Sequence, residues 1–228
     1  MKKIDKKIAV IMCVWSRFNL LEKTLDMLES QTDKNFDFFI WNNNSKVKEV
    51  KDLFNENEYS FNIETKTYHQ NTGGIGRFYY AHYISNQYDY VIFIDDDQEF
   101  DKNLIKTFKE EANPQTISGW WAYKIWGEYN QRTRSQPYQE ADYVGTGGMI
   151  CPTSIFQDFK LFETLPREYI FVEDLWLSYF AKYEHNYKLQ SSNVNINFIP
   201  NENIRDQHHR LGKTKIDFHR FLKRKYNI

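Results

Sequence analysis

The most constraining stretch of this chain is Tyr90-Val91-Ile92-Phe93-Ile94-Asp95-Asp96-Asp97. Its first five residues are apolar or β-branched throughout, which is the pattern of a strand covered on both faces. The strand runs straight into three carboxylates. Open α/β sheets bind ligands outside the carboxyl ends of their strands, so these acids fall on the ligand edge. Like charges that close repel, and they are best tolerated with a cation among them. The triplet therefore predicts a divalent metal carrying something phosphorylated. The alternative is a solvated acidic turn ahead of Asp101, the N-cap of the next helix.

The stretches before it build the same sheet. Ile8–Val14 is a continuous apolar run and predicts a central strand. Phe18, Leu21, Leu25 and Leu28 then recur at helical spacing. Phe36–Trp41 is a second strand ending in Asn42-Asn43-Asn44-Ser45, which is turn and cap chemistry at the ligand edge. Lys46–Asn55 predicts a short helix and Phe61–Tyr68 a third strand. Asn71-Thr72-Gly73-Gly74-Ile75-Gly76-Arg77 opens a helix from Phe78. Glycines there let backbone N–H groups approach an anion, or simply make a flexible turn. The first hundred residues thus predict β-α-β-α-β-α-β, a parallel sheet with right-handed crossovers.

Beyond the acids the pattern is less regular. Thr116–Ile125 is aromatic and β-prone, and Gly127–Glu140 predicts a long, mobile loop. Tyr143–Cys151 predicts one strand, its Gly145, Gly147 and Gly148 suited either to a ligand's close approach or to a bulge. Glu173 and Asp174 open a helix reaching about Tyr183, where acids favour the helix dipole. Asn193–Ile199 predicts a last strand, and a basic tail runs from Arg205. One domain is expected over 1–204, with a nucleotide half at about 8–100 and an acceptor half at about 101–204, then a basic tail or helix over 205–228.

Composition narrows the partners. Thirty lysines and arginines against 31 aspartates and glutamates give no net attraction to nucleic acid or acidic membranes. Aromatic residues reach 18%, which suits sugar faces as well as core. Cys13 and Cys151 sit in apolar runs and predict buried thiols, not a disulfide framework. The lysines at 2, 3, 6 and 7 precede a run too short for a signal peptide, and no run approaches the ~20 apolar residues that span a bilayer. A cytoplasmic protein is expected. Phe218, Phe221, Leu222 and Lys225 share a helical face amid Lys215, Arg220, Lys223 and Arg224, which predicts either a helix docked on the domain or peripheral contact with the cytoplasmic face of a membrane.

The order of features is more specific than any one of them. Trp15-Ser16-Arg17-Phe18-Asn19, Asn42-Asn43-Asn44-Ser45, the glycine-rich stretch to Arg77, Asp95-Asp96-Asp97, Gly145-Thr146-Gly147-Gly148 and Glu173-Asp174 together resemble family two of the inverting glycosyltransferases. The resemblance spans about residues 8–185. It implies a GT-A-like, nucleotide-diphospho-sugar transferase fold, an α/β architecture with a central, mostly parallel twisted sheet flanked by helices. It implies a nucleotide-sugar donor (a UDP-sugar is expected), a glycan or glycolipid acceptor, and Mn2+ or Mg2+. Carried over, Asp97 and Asp95 bind the metal, with His208 or His209 returning to complete it. Trp15, Arg17, Asn43, Gly74, Arg77, Asp95 and Asp96 face the nucleotide. Gly147, Gly148 and Glu173 face the acceptor, and Asp174 is the base. Trp120, Trp121 and Trp176 pack either on the acceptor or in the core. The chain departs from the family pattern at Asn42 and Asn43, where acids are usual.

The chemistry asks for this division of labour. Metal-held carboxylates stabilise a departing diphosphate, so a separate carboxylate must take the acceptor's proton. Two alternatives stand beside this reading. A nucleotidyltransferase would want a Gly-rich loop with Arg and Lys after the first strand, which Trp15–Asn19 does not supply. A non-catalytic carbohydrate-binding module rests only on the aromatic count.

Overall fold

A computed structural model describes residues 7–47, 50–55, 58–200 and 211–228. The centre is a seven-stranded sheet. The strand β1 (Ile8–Val14) pairs in parallel with β2 (Phe36–Asn42) on one side and with β4 (Tyr90–Ile94) on the other. Next to β2 lies β3 (Ile63–Thr67), also parallel. Beyond β4 come β10 (Met149–Pro152), which runs antiparallel, then β6 (Thr116–Gly119) and β11 (Lys188–Ser191), parallel to each other. The order is therefore β11-β6-β10-β4-β1-β2-β3, mostly parallel with one reversed strand.

The apolar runs of β1 and β4 are buried because both faces are covered. Ala9, Ile11, Val91 and Phe93 pack on one face with α2 (Gly76–Ile84), α5 (Glu173–Glu184) and α6 (Gly212–Tyr226). Ile8, Val10, Met12, Ile92 and Ile94 pack on the other with α1 (Leu21–Glu29) and α3 (Leu104–Glu111). Period-two alternation sends successive residues to opposite cores, and a strand apolar at every position needs two. A short helix, α4 (Lys160–Glu163), precedes α5.

Several expectations change beyond the acids. The stretch from Tyr143 is not one strand. β9 (Tyr143–Val144) pairs with β7 (Ala122–Ile125), and only after Gly145–Gly148 does the chain rejoin the main sheet as β10. Gly127–Glu140 is not a free loop. It carries β8 (Arg132–Arg134), antiparallel to β7, with the Arg132 guanidinium 4.1 Å from the Tyr129 ring and Arg134 4.7 Å from Trp120. The remaining pair, β5 (Gln98–Phe100) with β12 (Ile196–Phe198), joins segments a hundred residues apart. Among the described residues of 46–55 the only helical element is a 3-10 turn at Val50–Leu53. Both cysteines are free thiols.

Of the two readings of the basic tail, the helix docked on the domain is the one seen over its described part, Gly212–Tyr226. Phe218 and Leu222 of α6 are fully buried, and Phe218 stacks on Tyr169 at 4.3 Å. The apolar face of α6 packs into the core. No helix among the described residues is long and apolar enough to cross a membrane.

Candidate active site

The carboxyl ends of the sheet open into a cavity of about 320 Å³. Its floor comes from the end of β4. Asp95 and Asp97 line it, and Arg77 reaches in from the first turn of α2. The Arg77 guanidinium meets Asp95 Oδ1 at 2.8 Å, and its Nε–H donates to the Gly74 carbonyl at 3.2 Å. Burial works against the arginine's charge, but the acidic groups around it, Asp95 first and then Cys13 and Glu173, together outweigh it and raise the Arg77 pKa, so the cation persists. Gln98 accepts the Asp95 backbone N–H at 3.0 Å. Gly147 lies against the same carboxylate, so close that a Cβ would come within 2.2 Å of Asp95 Oδ2.

Asp96 does not line the cavity. It turns to Arg17, whose guanidinium donates to it at 2.8 Å and lies 3.6 Å from Asp97. Burial raises the Asp96 carboxyl to about 6, with Arg17 pulling it back. Arg17 therefore buttresses the acidic turn from behind. Trp15 is half exposed on the same rim, outside the cavity wall.

The start of α5 supplies another part of the wall. Asp174 Oδ1 accepts the Leu175 backbone N–H at 2.7 Å, and Oδ2 accepts the Tyr143 hydroxyl. Lys215 Nζ of α6 lies 3.8 Å from the same Oδ2. Tyr143 is held there because the Val144 N–H donates to Ser178 Oγ at 3.0 Å, which ties β9 to α5. Glu173, beside Asp174, is packed against Gly74, where any side chain would collide with its carboxylate. Burial first, then the Asp174 charge, push the Glu173 carboxyl up, while Arg77 pulls it down. Trp120, Trp121 and Phe198 form an aromatic third side, with ring centroids 5.2 to 5.8 Å apart.

The structure thus brings Gly74, Arg77, Asp95, Asp97, Trp120, Trp121, Gly147, Glu173 and Asp174 to one cavity. Besides Trp15, Arg17 and Asp96, three more expected residues are placed elsewhere. Trp176 is fully buried and donates its indole N–H to the Leu161 carbonyl at 2.7 Å, so it is helix core, not an acceptor platform. The Asn43 side chain holds the glycine-rich loop, its oxygen accepting from Trp41, Thr72 N–H and Thr72 Oγ1 and its amide donating to the Gly73 carbonyl. It supports the glycine-rich loop without lining the cavity. Gly148 lies behind the wall with φ of 79°, a turn position packed on Ile196. His208 and His209 lie outside the described residues.

Sequence reasoning missed Tyr143 and Lys215. Lys215 was grouped with the surface cations of the tail. The series Lys215, Phe218, His219, Leu222 has the spacing i, i+3, i+4, i+7 and puts the lysine on the buried stripe.

Asp95 and Asp97 fit a hard divalent cation. Mg2+ takes one or two carboxylates and fills its shell with waters and phosphate oxygens, and oxygen donors also suit Mn2+. Arg77 occupies Asp95 Oδ1, and the Asp95 side chain is still 33% exposed and lines the cavity. Among the described residues no group of three or more metal-ligating side chains stands together.

The model of the glycosyl transferase family 2 matches residues 9–187. No curated protein sequence matches the chain. Among solved structures, TarS 1-349 of S. aureus superposes with a TM-score of 0.55 at 18% identity, covering 82% of this chain and 60% of that one. It has also been solved with UDP and with UDP-GlcNAc. GalNAc-T7 with UDP, GalNAc and Mn2+ gives 0.63 at 11% identity, covering 87% of this chain and 44% of that one. The mannosyltransferase PcManGT from Pyrobaculum calidifontis, with GDP-Man and Mn2+, gives 0.65 at 12% identity, covering 97% and 64%. The chain spans less than two thirds of each of these proteins, and at such identities the likeness establishes a shared GT-A architecture.

Proposed function

This chain belongs to glycosyl transferase family 2, and we propose that it transfers a sugar from a nucleotide-sugar to a hydroxyl of a glycan or glycolipid acceptor, with inversion. The observation that carries this reading is that two separately partnered carboxylate centres line one cavity: Asp95, paired with Arg77, together with Asp97, and Asp174, held by Tyr143 and Lys215. One centre suits a leaving diphosphate and the other suits a proton.

The acceptor oxygen attacks the anomeric carbon from the Asp174 side. Its O–H bond breaks and the proton passes to the Asp174 carboxylate, a role worth ~10²–10⁴-fold. The bond from the anomeric carbon to the diphosphate breaks, and its electron pair leaves on the phosphate oxygen. Attack and departure on opposite faces give inversion. Arg77 supplies fixed positive charge on the leaving side, where preorganised charge is most effective. Asp95 and Asp97 would hold Mn2+ or Mg2+, which when bound neutralises charge developing on the diphosphate. Trp120, Trp121 and Phe198 offer ring faces to the acceptor sugar. UDP and Mn2+ in distant relatives of the same fold support a UDP-sugar and a metal, while GDP-Man in one of them makes the base a matter for experiment.

The experiment is a screen of UDP- and GDP-sugars for release of the nucleoside diphosphate with Mn2+ and after chelation. At least one donor is expected to turn over only with metal. Release of pyrophosphate from a nucleoside triphosphate and a sugar phosphate, with no turnover of any nucleotide-sugar, would instead favour a nucleotidyltransferase.

A further inference from the structure

Lys215 enters the cavity from α6 and is only 9% exposed. A buried ammonium is costly unless paired, and its partner is the Asp174 carboxylate. Each carboxylate oxygen offers two lone-pair directions. Oδ2 takes the Tyr143 hydroxyl and faces Lys215 at 3.8 Å. Oδ1 takes the Leu175 N–H at 2.7 Å and has no other partner among the described residues. We infer that Lys215 is a positioning residue which, with Tyr143, locks Asp174 so that Oδ1 is the atom receiving the acceptor's proton. The inference rests on the reading of Asp174 as base.

The packing around Lys215 fits a fixed strut better than a surface charge. One turn along α6, Phe218 is clamped against Tyr169, and Leu222 is fully buried two turns along. The lysine is therefore placed by core packing. Tyr143 is fixed from the other side through Ser178. Burial opposes the charge on Lys215, but Asp174 first, with Tyr129 and Glu173, together outweigh that and push its pKa up, so the ammonium is kept at working pH. A carboxylate free to rotate would offer either oxygen. This one is held at three points, which is the preorganisation that effective proton transfer needs. The same contacts make α6 part of the site, with Leu211 and Lys215 both on the cavity wall.

Two measurements test this. The first needs no donor. Thermal unfolding of wild type, Lys215→Met, Asp174→Asn and the double variant forms a cycle. Lys215→Met is expected to lower the melting temperature in the wild-type background and by less than half as much beside Asp174→Asn. Equal drops in both backgrounds overturn the inference. The second uses UDP-glucose, UDP-N-acetylglucosamine and GDP-mannose with Mn2+, following nucleoside diphosphate release. Lys215→Met is expected to cut kcat ~10- to 100-fold with the donor KM within twofold of wild type, and Lys215→Arg to recover most of the loss. A Lys215→Met kcat within twofold of wild type overturns it. If Asp174→Asn itself keeps full turnover, the base assignment fails. If Asp174→Asn is silent and Lys215→Met is normal, only the role given to Lys215 fails.

Discussion

Gly147→Ala tests the metal side of the site with a single methyl group. The glycine lies where the chain crosses the cavity between β9 and β10, and its φ is not in the left-handed region. The cost is therefore spatial and not conformational. The added Cβ would lie 2.2 Å from Asp95 Oδ2 and 2.6 Å from Gln98 Nε2, while ordinary contact begins at 3.4 Å. The carboxylate has to retreat by about 1.2 Å and the amide by about 0.8 Å. Both movements disturb the same residue, because Gln98 accepts the Asp95 N–H and Arg77 holds Asp95 Oδ1. A displacement of about 1 Å in a positioned group costs ~10²-fold in rate, or about 2.7 kcal/mol of barrier. The far ends of side chains move, not the backbone, so the fold should survive with a melting temperature within ~3 °C of wild type. Turnover of a nucleotide-sugar titrated with Mn2+ is the assay. The expected result is a ~10²-fold fall in kcat/KM and a higher Mn2+ requirement. Unchanged turnover and an unchanged Mn2+ midpoint would refute the placement of Asp95 at the metal.

Three further outcomes follow from the same geometry. Glu173→Gln removes a carboxyl whose folded pKa lies above its ordinary value of 4.5 because it is buried; ionising it costs the native state stability as pH rises from 4.5 through the folded pKa, so the variant should melt higher than wild type at pH 8, by roughly 1–3 kcal/mol, with the gap closing below pH 4.5, and a constant gap at both pH values would contradict the assignment. Trp176→Phe leaves the Leu161 carbonyl without its indole donor and should cost ~1–3 kcal/mol of stability in urea titration while leaving acceptor KM unchanged; a raised KM would return Trp176 to the acceptor site. Phe218→Ala should destabilise by ~3–5 kcal/mol in the same titration, because α6 is core, whereas a helix meant for a membrane surface would lose little.

The parts of this fold legible in the sequence were those governed by local pattern. β1 and β4 have the bounds that their apolar runs suggest, because a strand buried on both faces has no polar residue to blur its ends. The placing of Asp95 and Asp97 at the rim follows from the same run. The acceptor half was harder, because its pairings are non-local. Nothing near Tyr143 announces that the chain leaves one sheet at Val144 and joins another at Met149. β5 and β12 recognise each other only in the folded molecule. The hairpin at Arg132–Arg134 is polar on its surface and is ordered by guanidinium–ring contacts with Tyr129 and Trp120, which hydropathy does not register. Asn43 has the right residue type and place for a ligand contact, yet its hydrogen-bonding groups are occupied by Trp41, Thr72 and Gly73. Lys215 was hidden by its charge, since a lysine among lysines suggests solvent until the spacing to Phe218 and Leu222 is counted.

The central claim is that leaving-group binding and proton transfer belong to different carboxylates. Calorimetric titration of UDP and of GDP with Mn2+, paired with donor turnover, separates them in Asp97→Asn and Asp174→Asn. The account predicts that Asp97→Asn loses metal-dependent nucleotide binding, whereas Asp174→Asn binds nucleotide within twofold of wild type and loses transfer by ~10²-fold or more. Nucleotide binding lost in Asp174→Asn, or transfer retained in it, would contradict the account.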